Sequence, residues 1–131
     1  MIVVDASIVV DILCNPARSG ALRRCLAEEQ LLAPDLLAIE VASALRGLNR
    51  SGHLHEEALD AAAATLARMP IDFVPTLPLL TDVLRLRQNI SAYDAAYVAL
   101  AALTRCPLLT HDRRLARAAA PHCEVLSATD P

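Results

Sequence analysis

The sequence predicts an α/β fold with a mainly parallel five-stranded sheet and helices on both faces. Short β-branched or apolar runs alternate with longer stretches of helical periodicity. Hydrophobic residues make up 55% and charged residues 21% of the 131 positions, which supports one aliphatic core and excludes intrinsic disorder. Beyond an alanine bias there is no repeat, linker or low-complexity tract, so residues 1–131 read as a single domain.

Ile2 to Val4 is a buried-strand candidate, followed by helices from about Ser7 to Leu13 and from Arg18 to Glu28. Leu31 to Ala33 reads as the second strand, and Pro34-Asp35 opens a helix that runs to about Arg50, where Ser51-Gly52 breaks it. An Ala-rich helix spans Glu56 to Arg68, Ile71 to Val74 is the third strand, and Leu77 to Arg87 a further helix. Ser91 caps a helix to about Thr104, stopped by Arg105-Cys106-Pro107. Leu108 to Thr110 is the fourth strand, Arg113 to Ala119 a short helix, and Glu124 to Leu126 the last strand.

Composition removes several function classes. The aromatic residues are Phe73, Tyr93 and Tyr97, too few for a platform that stacks successive bases. All twelve basic residues are Arg, and the absence of Lys excludes a P-loop clamp, a Schiff base and a Ser-Lys dyad. A net charge of −3 argues against a broad basic face, yet with four carboxylates neutralised by cations the balance turns positive. Cys14, Cys25, Cys106 and Cys123 lack zinc-site spacing and read as thiols. The apolar N-terminus carries Asp5 and Asp11 without a basic leader region, and no uncharged stretch approaches the roughly 18 residues of a membrane span. A soluble, cytoplasmic protein is expected.

In parallel α/β sheets, ligands bind at the carboxyl ends of the strands, which singles out certain acids. Asp5 follows the first strand, where it either caps the next helix or projects into the crevice; Ser7 is an alternative cap that leaves Asp5 free. Glu40 has Leu36, Leu37, Ser43 and Ala44 as helical neighbours, away from the polar stripe of Asp35, Arg46, Asn49 and Arg50. A half-buried Glu needs a cation, and none stands at helical spacing. Asp94 completes the capping-box pattern Ser91-Ala92-Tyr93-Asp94, at the start of a helix without another charge from Ala95 to Thr104. Asp112 follows the fourth strand and is either an N-cap or a ligand, while His111 beside it reads as a loop residue. Asp11 is a possible fifth member, or a hydrogen-bonded helix residue. Crowded carboxylates repel unless protonated or bridged by hard cations, and Mg²⁺ or Mn²⁺ takes oxygen ligands of this kind. Such ions serve phosphodiester hydrolysis by activating water and stabilising the leaving oxygen.

VVDAS at 3–7, PDLLAIEVASAL at 34–45, SAYDAAYVALA at 91–101 and LLTHD at 108–112 together resemble the PIN domain, in the style of VapC toxins of bacterial toxin-antitoxin modules. The resemblance spans essentially the whole chain. It implies a three-layer α/β/α sandwich and a metal-dependent endoribonuclease that leaves 5′-phosphate and 3′-hydroxyl ends. Carried over by position, Asp5, Glu40, Asp94 and Asp112 are the catalytic acids that hold Mg²⁺ or Mn²⁺, with Asp5 and Asp94 as primary ligands. Ser7 and Thr110 match the supporting hydroxyls. Arg46, Arg50, Arg113 and Arg114 are candidates for gripping RNA phosphates, or ordinary solvated charges. The resemblance further implies a VapB-like antitoxin whose tail covers the active site, and a homodimer. An apolar groove hidden in such a complex is expected, lined by Ala58, Leu59, Ala62, Ala63, Leu66 and Met69 unless these fill the core.

Three other readings compete. A haloacid-dehalogenase-like phosphatase wants a second Asp where this chain has Ser7, and a Lys that is absent. A phosphate-accepting receiver domain meets the same Lys objection. A noncatalytic binding module on a PIN-like scaffold is weighed against by the intact acidic quartet.

Overall fold

Val3 and Val4, each at most 1% exposed, lie in the strand at the centre of the sheet, covered on both faces as a parallel strand requires. In the computed structural model, which describes residues 1–127, this strand is β1 (Ile2–Val4). The last four residues of the expected domain lie outside the described residues. The other strands are β2 (Leu31–Pro34), β3 (Ile71–Val74), β4 (Leu108–Thr110) and β5 (Val125–Ser127). Their order is β3-β2-β1-β4-β5 and every pairing is parallel, with Val3 opposite both Leu32 and Leu108. The sheet is therefore wholly rather than mainly parallel.

Seven α-helices accompany the sheet among the described residues: α1 (Ala6–Cys14), α2 (Gly20–Leu26), α3 (Leu37–Arg50), α4 (Glu56–Arg68), α5 (Leu80–Arg85), α6 (Ala92–Thr104) and α7 (Arg113–Ala119). The chain moves outward from β1 to β2 to β3, then returns past β1 to β4 and β5. Right-handed crossovers put the helices of these two excursions on opposite faces, giving the α/β/α sandwich. Accordingly α1, α3 and α4 pack on one another, and α5 packs on α6. The chain reverses direction between β1 and β4, and at such a switch point a crevice opens at the carboxyl edge of the sheet.

Sequence and structure differ at several boundaries. Residues 77–87 form a 3₁₀ turn (Leu77–Leu79), with Pro78 in its first positions, and then the short α5. Pro34 ends β2 instead of opening α3, which starts at Leu37. The second helix is shorter than expected, Gly20–Leu26, and the last strand begins one residue later. α6 is buried without interruption from Ala95 to Ala101, as its lack of charge implied. It ends at Arg105, which takes a left-handed conformation (φ 55°) as its C-cap. All four cysteines are free thiols, and no described helix is long and apolar enough to cross a membrane.

Candidate active site

Asp5 leaves the end of β1 with extended backbone and is the N-cap of α1, so the cap falls to Asp5 and not to Ser7. Its Oδ1 accepts from the Ser7 N–H (3.1 Å), the Ser7 hydroxyl (2.6 Å) and the Ile8 N–H (3.4 Å). Its Oδ2 accepts from the Thr110 hydroxyl at 2.8 Å. The residue is only 6% exposed. Burial raises its pKa above the ordinary carboxylate value, against the opposing pull of the Ser7 and Thr110 hydrogen bonds.

Glu40 points from the first turn of α3 into the same crevice, and its partner comes from the other helical layer. The Tyr97 hydroxyl donates to Glu40 Oε2 at 2.5 Å, so a neutral phenol stands where spacing along the helix suggested that a cation was needed. Burial raises the Glu40 pKa, the Tyr97 bond lowers it, and the charges of Asp94 and Asp5 raise it further. Asp94 sits one turn before Tyr97 on α6. Ser91 caps this helix by accepting from the Asp94 N–H at 3.2 Å, which is the serine half of a capping box. Burial and the charge of Asp112 raise the Asp94 pKa, opposed by its Ser91 bond and by Arg114.

Asp112 caps α7, its Oδ1 accepting from the N–H groups of Arg114 (2.7 Å) and Leu115 (3.1 Å). Its own N–H donates to the Thr110 hydroxyl at 2.9 Å. His111 also lines the cleft. Its N–H donates to Ser7 Oγ at 3.0 Å, and its Nε2 stands 3.4 Å from Asp11 Oδ2. Asp11 is held through Oδ1 by the Asn15 amide at 2.8 Å, the hydrogen-bonded helix role set against ligation in the sequence.

These groups share one open cleft of about 910 Å³ that contains Asp5, Glu40, Asp94 and Asp112. Among the described residues no three His, Cys, Asp or Glu side chains are already gathered into a group that could hold a metal ion. The four acids instead face the cleft from four elements, and their charges are felt across it: Asp94 and Asp5 raise the pKa of Glu40, and Asp112 raises that of Asp94. Among the described residues the four acids form one ion pair, with Arg114, whose Nη2 lies 4.0 Å from Asp94 Oδ2 and whose side chain is 81% exposed. A surplus of hard oxygen donors with one screened counter-charge fits a divalent cation of the Mg²⁺ or Mn²⁺ type.

The remaining expected residues fall outside this cleft. Arg46 and Arg50 are exposed on α3 but do not line it; Arg113 is exposed, and Arg114 reaches the rim through Asp94. The apolar face of α4 does not line it either: Leu59, Leu66 and Met69 pack against the core, Ala62 is buried and Ala63 is exposed. The lining comes from α1, α3, α6 and the β4–α7 junction, together with His53 and Leu54 before α4. Sequence reading missed Tyr97, whose partner lies 57 positions away, and gave His111 no role.

The PIN domain profile matches residues 2–121. Ribonuclease VapC1 of Mycobacterium tuberculosis is 42% identical over 125 residues, covering 94% of this chain and 94% of that protein. Ribonuclease VapC9 of the same organism is 38% identical over 125 residues, covering 95% and 96%. The fold is also that of VapBC2 from Rickettsia felis, solved bound to a DNA fragment from its promoter, with a TM-score of 0.67 at 14% identity and coverage of 97% and 98%. With an acidic crevice at the switch point of a parallel sheet and these relatives along nearly its whole length, the chain belongs to the PIN domain family, among its VapC-type members.

Proposed function

We propose that this chain is a Mg²⁺- or Mn²⁺-dependent endoribonuclease, the toxin of a VapBC-type toxin-antitoxin pair, built as one nuclease domain over residues 1–131. The observation that carries the reading is the convergence of Asp5, Glu40, Asp94 and Asp112 on one cleft, with one ion pair to them among the described residues, from the exposed Arg114. Uncompensated, such a cleft repels a polyanion; with divalent cations it draws a phosphodiester in. The names of the VapC1 and VapC9 relatives support RNA as the substrate.

Asp5, Glu40, Asp94 and Asp112 would hold the ion or ions, which when bound supply a nucleophilic water at neutral pH and charge stabilisation for the leaving oxygen. Thr110 and Ser7 hold Asp5 in position, and Thr110 also ties down the Asp112 backbone. Arg114 at the rim is the guanidinium best placed to meet a phosphate, with Arg113, Arg46 and Arg50 further out.

A VapB-like antitoxin as partner is supported by the VapBC2 complex that shares this fold. Leu77, Leu80 and Leu84, all exposed between β3 and α6, supply an apolar surface for a homodimer. Free cysteines fit the reducing cytoplasm.

The test is cleavage of total RNA by purified, partner-free protein in Mg²⁺ or Mn²⁺, with EDTA and Asp5→Ala as controls. Discrete fragments that vanish in both controls are expected. No cleavage, with no metal binding detectable by calorimetry, sinks the nuclease reading and favours a noncatalytic binding module.

A further inference from the structure

The cleft holds its acids by an unusual choice of partner. A carboxylate inside a protein is commonly steadied by Arg or Lys, which cancels its charge in doing so. Here the two most confined acids are steadied by neutral hydroxyls, Asp5 by Thr110 and Glu40 by Tyr97. Tyr97 is 1% exposed, buried in α6 within the run Ala95 to Ala101, and among the described residues its hydroxyl forms one hydrogen bond, to Glu40 Oε2. Glu40 Oε1 accepts no hydrogen bond among the described residues. The long side chain of Glu40, which lines the cleft, thus has one oxygen fixed and the other without a hydrogen bond, and the partner that fixes it is neutral and cancels no charge.

We infer that Tyr97 is a positioning residue for metal binding: its hydroxyl pins Glu40 Oε2 so that Oε1 is presented to the cation as a single, pre-oriented ligand. The placement on α6 makes this a shared device. Asp94 and Tyr97 are three residues apart on one helix, so they project from neighbouring positions of one face. One rigid, buried helix then supplies a ligand directly and orients a second ligand from α3 across the crevice. Removing such an outer partner of a metal ligand typically costs about 10- to 100-fold in metal affinity.

The inference rests on the metal-dependent reading above, and the test separates the two. Mn²⁺ binding to the full chain is measured by calorimetry for the natural protein, Tyr97→Phe, Glu40→Gln and the double variant. Tyr97→Phe is expected to bind Mn²⁺ about 10- to 100-fold more weakly, and to add nothing further in the Glu40→Gln background. Cleavage by Tyr97→Phe should recover as Mn²⁺ is raised, because the ligands remain.

A second measurement avoids touching Tyr97. The chain has no Trp and two Tyr, and Tyr93 is 65% exposed, so a Tyr93→Phe variant leaves Tyr97 as the sole tyrosine chromophore. Diamagnetic Mg²⁺ should perturb its absorption with the midpoint found by calorimetry. Unchanged Mn²⁺ affinity in Tyr97→Phe, an equal loss with and without Glu40, or a silent Tyr97 band on saturation with Mg²⁺ overturns the inference while the nuclease reading stands. A natural protein that neither binds Mn²⁺ nor cleaves RNA overturns both.

Discussion

Thr110 and Asp5, 105 residues apart in the chain, are joined by a 2.8 Å hydrogen bond between the hydroxyl and Oδ2, both groups buried at the edge shared by β4 and β1. The same hydroxyl accepts from the Asp112 N–H at 2.9 Å. One threonine thus fixes the side chain of the first acid and the backbone of the last. Thr110→Val keeps the shape and removes both bonds; metal affinity and cleavage should fall about 10- to 100-fold, with Thr110→Ser retaining most of both. Equal activity of Thr110→Val and the natural protein, assayed at limiting Mg²⁺, counts against this role.

Burial sets the sign of the pH dependence of stability. Asp5 has a folded-state pKa raised above its unfolded value of about 3.9, so its stabilising contribution is full below that value and is lost as the pH rises through the folded one. Asp5→Asn should therefore melt at a higher temperature than the natural protein at pH 7, and the gap should close towards pH 4. Added Mg²⁺ should narrow the gap at pH 7 by stabilising the natural protein, by about 2.7 kcal/mol at one hundred times the dissociation constant. Thermal melts at both pH values, with and without Mg²⁺, check each sign.

Metal loading should follow the same acids. Asp5, Glu40 and Asp94 all titrate above the ordinary carboxylate range and must be deprotonated to bind a cation, so affinity for Mg²⁺ should climb through that raised range and level off above it. Arg114 lowers the Asp94 value, so Arg114→Ala should move the acid limb of the cleavage profile to higher pH. Arg46→Ala should leave the limb in place, since Arg46 does not line the cleft.

Arg105 ends α6 at φ 55°, a conformation that costs an L-residue roughly 1–2 kcal/mol and glycine little. Its backbone N–H caps the helix through the Ala101 and Ala102 carbonyls, a role that needs no side chain. Arg105→Gly should raise unfolding stability by about 0.5–1 kcal/mol without altering cleavage. Urea denaturation of the two proteins measures it, and a lowered midpoint would show that the arginine side chain contributes more than its backbone strain costs.

Much of this molecule is written locally. Ile2-Val3-Val4 is too short and too β-branched for a helix and is bounded by an acid that caps, so strand, turn and helix follow in order from side-chain sterics and orphan N–H groups. The same local chemistry put Asp5 and Asp112 at strand ends, and the Ser91-x-x-Asp94 pattern fixed where α6 begins. Pro78 confined the start of the fifth helix to a 3₁₀ turn, a subtler local effect than the apolar run around it suggested.

What residue order could not convey is which distant groups meet. Glu40 has no polar partner on its own helix, and only the return of the chain past β1 brings Tyr97 over the crevice to supply one. His111 and Asp11 likewise meet only because β4 lies beside β1. By itself the sequence determined the elements, their parallel class and which acids stand at strand ends and helix starts as candidates, because propensity, capping and periodicity act within a few residues. The tertiary structure alone decided how those acids are held, because hydrogen bonds reach about 3 Å and depend on packing between segments that the chain keeps far apart.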